Sequence, residues 1–223
     1  MRKKIGILFL FLFSACQLLI AQEQQKPAFW DEIQAFKKQD SARFPAAKQI
    51  LFIGSSSFTM WKDVQQYFPG YKILNRGFGG SSLPDVFHYG KDVILRYNPK
   101  QIVIYCGEND LASSDTVSAS NVMRRFEMLF YYIRKNYPEV PIVYISMKPS
   151  PSRQHLMPKM VEANQLIRNF LSKRKKTVFV NIYNKMLNKD GTPRGELFLE
   201  DKLHMNAKGY AIWQKALTPH LLK

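Results

Sequence analysis

The sequence predicts an α/β protein built on one mainly parallel sheet with helices on both faces. Three observations predict it. Apolar runs with β-branched residues recur five times, at 49–53, 71–74, 101–105, 141–147 and 177–181. Their length and composition suit strands buried on both faces. Between them lie segments with apolar residues at helical spacing. The clearest is 118–137, where Val122, Phe126, Leu129, Ile133 and Tyr137 fall on one stripe. Strand and helix patterns also alternate along the chain, as a parallel sheet with crossover helices requires.

The chain begins with Met1 followed by Arg2, Lys3 and Lys4, and then an apolar stretch at 5–13. Ser14-Ala15-Cys16 interrupts that stretch and Leu18-Leu19-Ile20-Ala21 completes it. Spanning a bilayer takes about 20 apolar residues, so the segment reads as a secretory signal peptide rather than an anchor. Cleavage near Ala21 is expected, giving a secreted or periplasmic protein. A lipoprotein attached through Cys16 is the competing reading; Phe13 and the second apolar run argue against it.

Residues 22–47 read as an N-terminal extension with a short helix at 29–36, and 48–223 as one domain. The composition, 46% apolar and 22% charged, excludes a disordered chain. Further helical patterns follow at 85–97, 158–171 and 207–217. Removing the three leader cations lowers the net charge from +16 to +13. Such a surplus suits acidic glycans or a phospholipid surface, although scattered surface lysines explain it as well. The dense run Lys173-Arg174-Lys175-Lys176 has no interleaved aromatic residues and is not read as a nucleic-acid site. If Cys16 leaves with the leader, Cys106 remains alone and no intrachain disulfide forms. Cys106 ends an apolar run and reads as a buried filler.

In open parallel sheets ligands gather at the carboxyl ends of the strands. Gly54-Ser55-Ser56-Ser57 follows the first strand, where a glycine permits a tight turn and a helix N-terminus offers free N–H groups. Asn75-Arg76-Gly77-Phe78-Gly79-Gly80-Ser81 follows the second, and Gly107-Glu108-Asn109-Asp110 the third. Asp201-Lys202-Leu203-His204 precedes the last helix. A carboxylate there can hold the imidazole tautomer and leave Nε2 free as a base. Each motif alone also has a plain reading, as a helix cap, a glycine turn, an Asn-Asp turn or an unrelated loop pair.

Taken together and in this order, the four blocks resemble the SGNH, or GDSL-type, hydrolases over about residues 48–217. The continuation Leu203-His204-Met205-Asn206-Ala207-Lys208-Gly209-Tyr210 is typical of the last block. The resemblance implies a flavodoxin-like three-layer α/β/α sandwich. It implies Ser56 as nucleophile, His204 as general base and Asp201 as its orienting acid. It also implies an oxyanion hole made by the N–H groups of Ser56 and Gly80 and the side-chain amide of Asn109. One departure stands out. The family places Asp between the glycine and the nucleophile, where this chain has Ser55. Three serines are therefore adjacent, with Ser55 and Ser57 as the alternatives to Ser56.

The resemblance implies an esterase acting on acetylated glycans, lysophospholipids, short esters or thioesters. The leader, and a loop 148–156 too short and polar to be a lipase lid, lead us to expect short-chain acyl esters, acetyl in particular, carried on a small molecule or glycan. The alternatives are a lysophospholipase or platelet-activating-factor-acetylhydrolase-like lipid esterase, a catalytically silent glycan-binding member of the fold, and a flavodoxin-like cofactor binder. No cofactor or metal is expected, since Asp201 and His204 alone do not make a metal site. The sequence leaves the oligomeric state open. The loop 148–156 is expected to border the pocket, and Phe58, Met60, Trp61 and Phe78 to line an acyl site or pack in the core.

Overall fold

Five strands pair in parallel in the order β2-β1-β3-β4-β5: β1 Ile50–Gly54, β2 Ile73–Gly77, β3 Gln101–Tyr105, β4 Ile142–Ile145 and β5 Thr177–Val180. Every residue of β1, β3 and β4 is buried, as it must be when helices cover both faces. The helices are α1 Trp30–Ala42, α2 Ser56–Thr59, α3 Val64–Tyr67, α4 Leu83–His88, α5 Glu108–Ala112, α6 Ala119–Asn136, α7 Met157–Ser172 and α8 Ala207–Leu217. The computed structural model describes residues 26–223, and Asp31–Lys223 form one compact unit. The leader segment, its cleavage point near Ala21 and Cys16 lie outside the described residues.

Alternation along the strands divides the core in two. On one side Phe52, Val103, Tyr105, Val143 and Ile145 meet Phe58, Trp61, Phe68 and Trp213, with α8 closing the layer. On the other, α6 buries Val122, Phe126, Leu129 and Ile133, and Phe126 packs edge-on against Tyr144 of β4. These four are the predicted stripe; its fifth member, Tyr137, is the C-cap of α6. Ser118 caps the other end, its side chain accepting from the Asn121 N–H.

Besides shifts of a residue or two at strand ends, such as β4 at Ile142–Ile145 against an expected 141–147, the observed elements depart from expectation in three places. The second strand was expected at 71–74 and runs from Ile73 to Gly77, so Asn75, Arg76 and Gly77 belong to the strand rather than to the loop after it. Arg76 is tolerated there because its guanidinium donates to Asp40 at 2.5 Å and to the Tyr97 hydroxyl at 2.9 Å. The helix expected over 85–97 divides into α4 and a π-helical turn, Lys91–Leu95. Gly90 stands at the break, and a Cβ there would lie 2.5 Å from the ring of Tyr132. The helix expected at 29–36 extends to Ala42.

That last extension matters, because it carries Asp40 into the domain. Asp40 is 3% exposed and accepts from both Arg76 and Tyr97. Burial and the Asp40 carboxylate push the Tyr97 phenol up to about 12. Replacing Asp40 by Ala leaves a buried guanidinium without its counter-charge. The expected cost is about 3–5 kcal/mol, read as a lowered denaturation midpoint at unchanged slope. A midpoint equal to that of the parent would show that α1 does not brace β2.

Candidate active site

The site grows from the turn at the end of β1. Gly54 has φ +134°, and a Cβ there would sit 1.9 Å from the Tyr105 carbonyl oxygen. Only glycine allows that approach. Beyond it the Ser55 N–H donates to the Tyr105 carbonyl, and the Gly54 carbonyl accepts from the Phe78 N–H, each at 3.0 Å. The turn out of β1 is thus bonded to the end of β3 and to the start of the segment after β2. Ser55 stands at the N-cap of α2, but its side chain makes no capping bond. Support for the turn comes instead from a distance. The Tyr210 hydroxyl donates to the Ser57 carbonyl at 2.8 Å, and Asn75 Nδ2 to the Phe58 carbonyl at 2.7 Å.

Ser56 therefore opens α2, where the first N–H groups have no intrahelical partner. Its Oγ lies 2.9 Å from His204 Nε2, across a sequence separation of 148 residues. His204 Nδ1 lies 2.6 Å from Asp201 Oδ2. The other carboxylate oxygen of Asp201 accepts the Leu203 and His204 N–H groups, both at 2.9 Å. Lys202 adopts φ +57° between them, which lets the chain curl back on the carboxylate. Burial raises the Asp201 pKa, but the bonds from the His204 ring and the two N–H groups prevail and hold it down to about 2. An ionised Asp201 only accepts, so Nδ1 carries the proton and Nε2 presents its lone pair to Ser56. The arrangement can take a proton from the hydroxyl as it attacks an electrophile.

Gly80 and Asn109 sit beside one another: a Cβ on Gly80 would lie 3.7 Å from Asn109 Nδ2. Asn109 follows Gly107, whose φ of +127° turns the chain sharply into α5. Nδ2 donates to the Ser81 carbonyl at 3.1 Å, and Oδ1 accepts from Arg153 Nη2 at 2.8 Å. The neighbouring Asp110 is fully buried and accepts from the Leu83 N–H and from Arg125, each at 2.9 Å. Burial raises its pKa against those bonds. Asp110 thus holds the start of α4 rather than facing a ligand. Cys106 is buried and unpaired, and desolvation pushes its thiol well above the ordinary value, which suits a filler. Phe58, Trp61 and Phe78 are core residues with no exposure, whereas Met60 is 43% exposed.

Sequence reading missed the supporting residues. The Gly79 N–H donates to Glu32 Oε1 at 2.7 Å, so α1 holds the glycine loop as well as β2. Inside the loop 148–156, Lys148 is 1% exposed and pairs with buried Glu108 at 2.8 Å. Tyr105 also donates its hydroxyl to Glu108. The signal available in the sequence was a Lys and an Arg five positions apart in the segment just after an apolar strand. The Ser152 N–H donates to the Lys202 carbonyl at 3.1 Å, which ties the same loop to the one carrying Asp201 and His204.

Residues 54–212 match the model of the GDSL-like lipase/acylhydrolase family. The chain belongs to this family of acyl hydrolases, and all four blocks lie inside the match. No curated protein matches the sequence significantly. Among solved structures, the chain is similar to one from Streptococcus pneumonia provisionally described as a platelet activating factor. That pair is 21% identical with TM-score 0.74, covering 95% of this chain and 99% of the other. An acetyl xylan esterase is 17% identical with TM-score 0.62, covering 78% and 100%. A family 3 carbohydrate esterase from Clostridium thermocellum is 16% identical with TM-score 0.57, covering 78% and 96%. At these identities the likeness shows the fold: a three-layer α/β/α sandwich.

The Asp201 geometry sets a pH dependence of stability. Its folded pKa, about 2, lies below the ordinary 3.8. Its contribution is therefore fully present above about pH 4 and is lost as pH falls through about 2. The side chain is 46% exposed, so the effect is modest. Denaturant midpoints measured from pH 5 to pH 2 should fall less steeply for Asp201→Asn than for the parent. Equal slopes would mean that the His204 and backbone bonds do not hold the carboxylate in solution.

Proposed function

We propose that the chain is a secreted serine esterase that hydrolyses short-chain acyl esters, acetyl above all, carried on carbohydrate. The observation that carries this reading is the unbroken hydrogen-bonded line from Ser56 Oγ through His204 to Asp201, at 2.9 and 2.6 Å. In the proposed reaction Ser56 Oγ attacks the ester carbonyl while His204 Nε2 takes its proton. The negative charge that develops on the carbonyl oxygen is met by the N–H groups of Ser56 and Gly80 and by Asn109 Nδ2. His204 returns the proton to the departing alcohol, leaving an acyl-enzyme. Water, deprotonated by His204, then releases the carboxylate and restores Ser56. Asp201 stabilises the imidazolium in both halves.

Substrate class rests on three supports. Phe58, Trp61 and Phe78 are closed into the core, so none of them offers an open wall to a long acyl chain. Two of the similar structures are a carbohydrate esterase and an acetyl xylan esterase. The leader pattern 1–21 supports export from the cytoplasm to a compartment where acetylated glycans are met. The basic surface suits an acidic polymer and a phospholipid surface equally. The similarity to the protein described as a platelet activating factor keeps a lipid ester as the alternative outcome.

Ser56→Ala should fold and lose turnover on the order of 10⁴-fold or more, while Ser55→Ala and Ser57→Ala keep most of it. An organophosphonate should label the parent at Ser56 and fail to label Ser56→Ala. Labelling at Ser55 or Ser57, or none, would overturn the assignment. For substrate, kcat/KM compared over acetyl, butyryl, octanoyl and palmitoyl esters of one alcohol should peak at acetyl. Acetate should also be released from acetylated xylan. A maximum at octanoyl or longer without acetate from glycans would replace the carbohydrate reading by the lipid one.

A further inference from the structure

Given the esterase reading above, we infer that Arg153 is a positioning residue that locks the Asn109 amide in its donating orientation and places a net positive charge behind it. Asn109 can serve an oxyanion only if Nδ2, not Oδ1, faces the hole. A half-turn of the amide exchanges a donor for an acceptor and changes the shape hardly at all. Two partners of opposite polarity decide between these states. A guanidinium has no acceptor, so Arg153 Nη2 at 2.8 Å accommodates only Oδ1. The Ser81 carbonyl has no donor, so at 3.1 Å it accommodates only Nδ2. One Nδ2 hydrogen is thereby engaged and the second is left for the hole, beside Gly80.

The charge follows from counting the cluster that holds Arg153. Its Nη1 lies 3.7 Å from Glu108 Oε1, which makes no hydrogen bond of its own. The other Glu108 oxygen takes Lys148 and Tyr105. Glu108 and Lys148 sum to zero whichever of them carries the proton, and the Tyr105 phenol is neutral. The Asp201 carboxylate also acts on Lys148 but is hydrogen-bonded to His204. Within the Glu108–Lys148–Tyr105 cluster the guanidinium charge is in surplus, 18% exposed and hydrogen-bonded to the oxygen of the very amide that must donate. A charged donor on Oδ1 polarises the amide and strengthens the N–H on its far side. Arg153 lies in the 3₁₀ turn Pro151–Leu156 and belongs to none of the four blocks.

The test uses the full chain and an uncharged short ester, p-nitrophenyl acetate, with kcat and KM separated. Arg153→Ala should lower kcat by roughly 10–100-fold, less than the about 10²–10³-fold expected for removing an oxyanion donor itself, with KM within about threefold. In an Asn109→Ala background the same change should cost less than about threefold, because the group it acts through is gone. Arg153→Gln keeps a polar donor but is shorter, can flip and carries no charge; it should still lose on the order of 10-fold in kcat. Gln also decides the matter if the Ala variant melts early. Wild-type kcat in a folded Arg153→Gln, losses that multiply in the double variant, or a raised KM at constant kcat would each overturn the inference. A parent enzyme that neither hydrolyses the ester nor takes a phosphonate would instead overturn the esterase reading itself.

Discussion

At Gly54 the first strand must turn where the Tyr105 carbonyl of neighbouring β3 leaves no room for a side chain, and the site depends on that turn. A Cβ 1.9 Å from a carbonyl oxygen cannot be absorbed by moving a rotamer, because the obstacle is backbone of the neighbouring strand. Once the turn is made, Ser55 N–H bonds to the last residue of β3 and the Gly54 carbonyl to the first residue after β2. The start of α2, the glycine loop and the start of α5 are then fixed relative to one another by main-chain bonds. The side chains proposed to act on an ester inherit their spacing from the parallel register of β1 with its two neighbours.

The fourth component arrives from the far end of the chain and has its own supports. Asn206 caps α8 by accepting the Lys208 and Gly209 N–H groups, and its amide donates to the Glu196 and Phe198 carbonyls. Gly209 allows the close approach, since a Cβ would fall 2.7 Å from the Leu197 carbonyl oxygen. Tyr210 then reaches back to the Ser57 carbonyl. One short block therefore positions His204 and braces the helix bearing Ser56. This explains in physical terms why the glycine and tyrosine stand with the histidine, and how the turn holds although Ser55 makes no cap.

The positive charge is distributed between distinct tasks. At the carboxyl ends of the strands, Lys148 and Arg153 surround a buried glutamate, and burial lowers the Lys148 pKa against the pull of Glu108. Such a pair is a weak source of stability; its consequence here is geometric, because it sets where Arg153 stands. At the other end of the sheet, the run 173–176 precedes β5. There Arg134 donates to the Val140, Lys175 and Lys176 carbonyls, and Arg174 to the Phe170 carbonyl. Arg174 also lies over the Phe170 ring at 3.3 Å. Part of the dense basic run is thus engaged in closing the turn between α7 and β5.

Local pattern was enough where an apolar run or an amphipathic stripe is bounded by residues that mark its ends. β3 starts and ends where its apolar run does, and α8 spans the predicted 207–217, because periodicity and caps are properties of neighbouring residues. β2 was misplaced because its second half reads as polar: Arg76 is acceptable in a strand only through Asp40, 36 positions away. The residues of the four blocks could be named in advance, since each stands beside a strand end or a helix start that the sequence marks. Their supports could not. Glu32 on the Gly79 N–H and Arg153 on Asn109 belong to no motif and act across 47 and 44 positions. Spacing along a chain says nothing about which distant side chain will satisfy a particular N–H or amide oxygen. That is decided only when the layers pack and each buried polar group must find a partner.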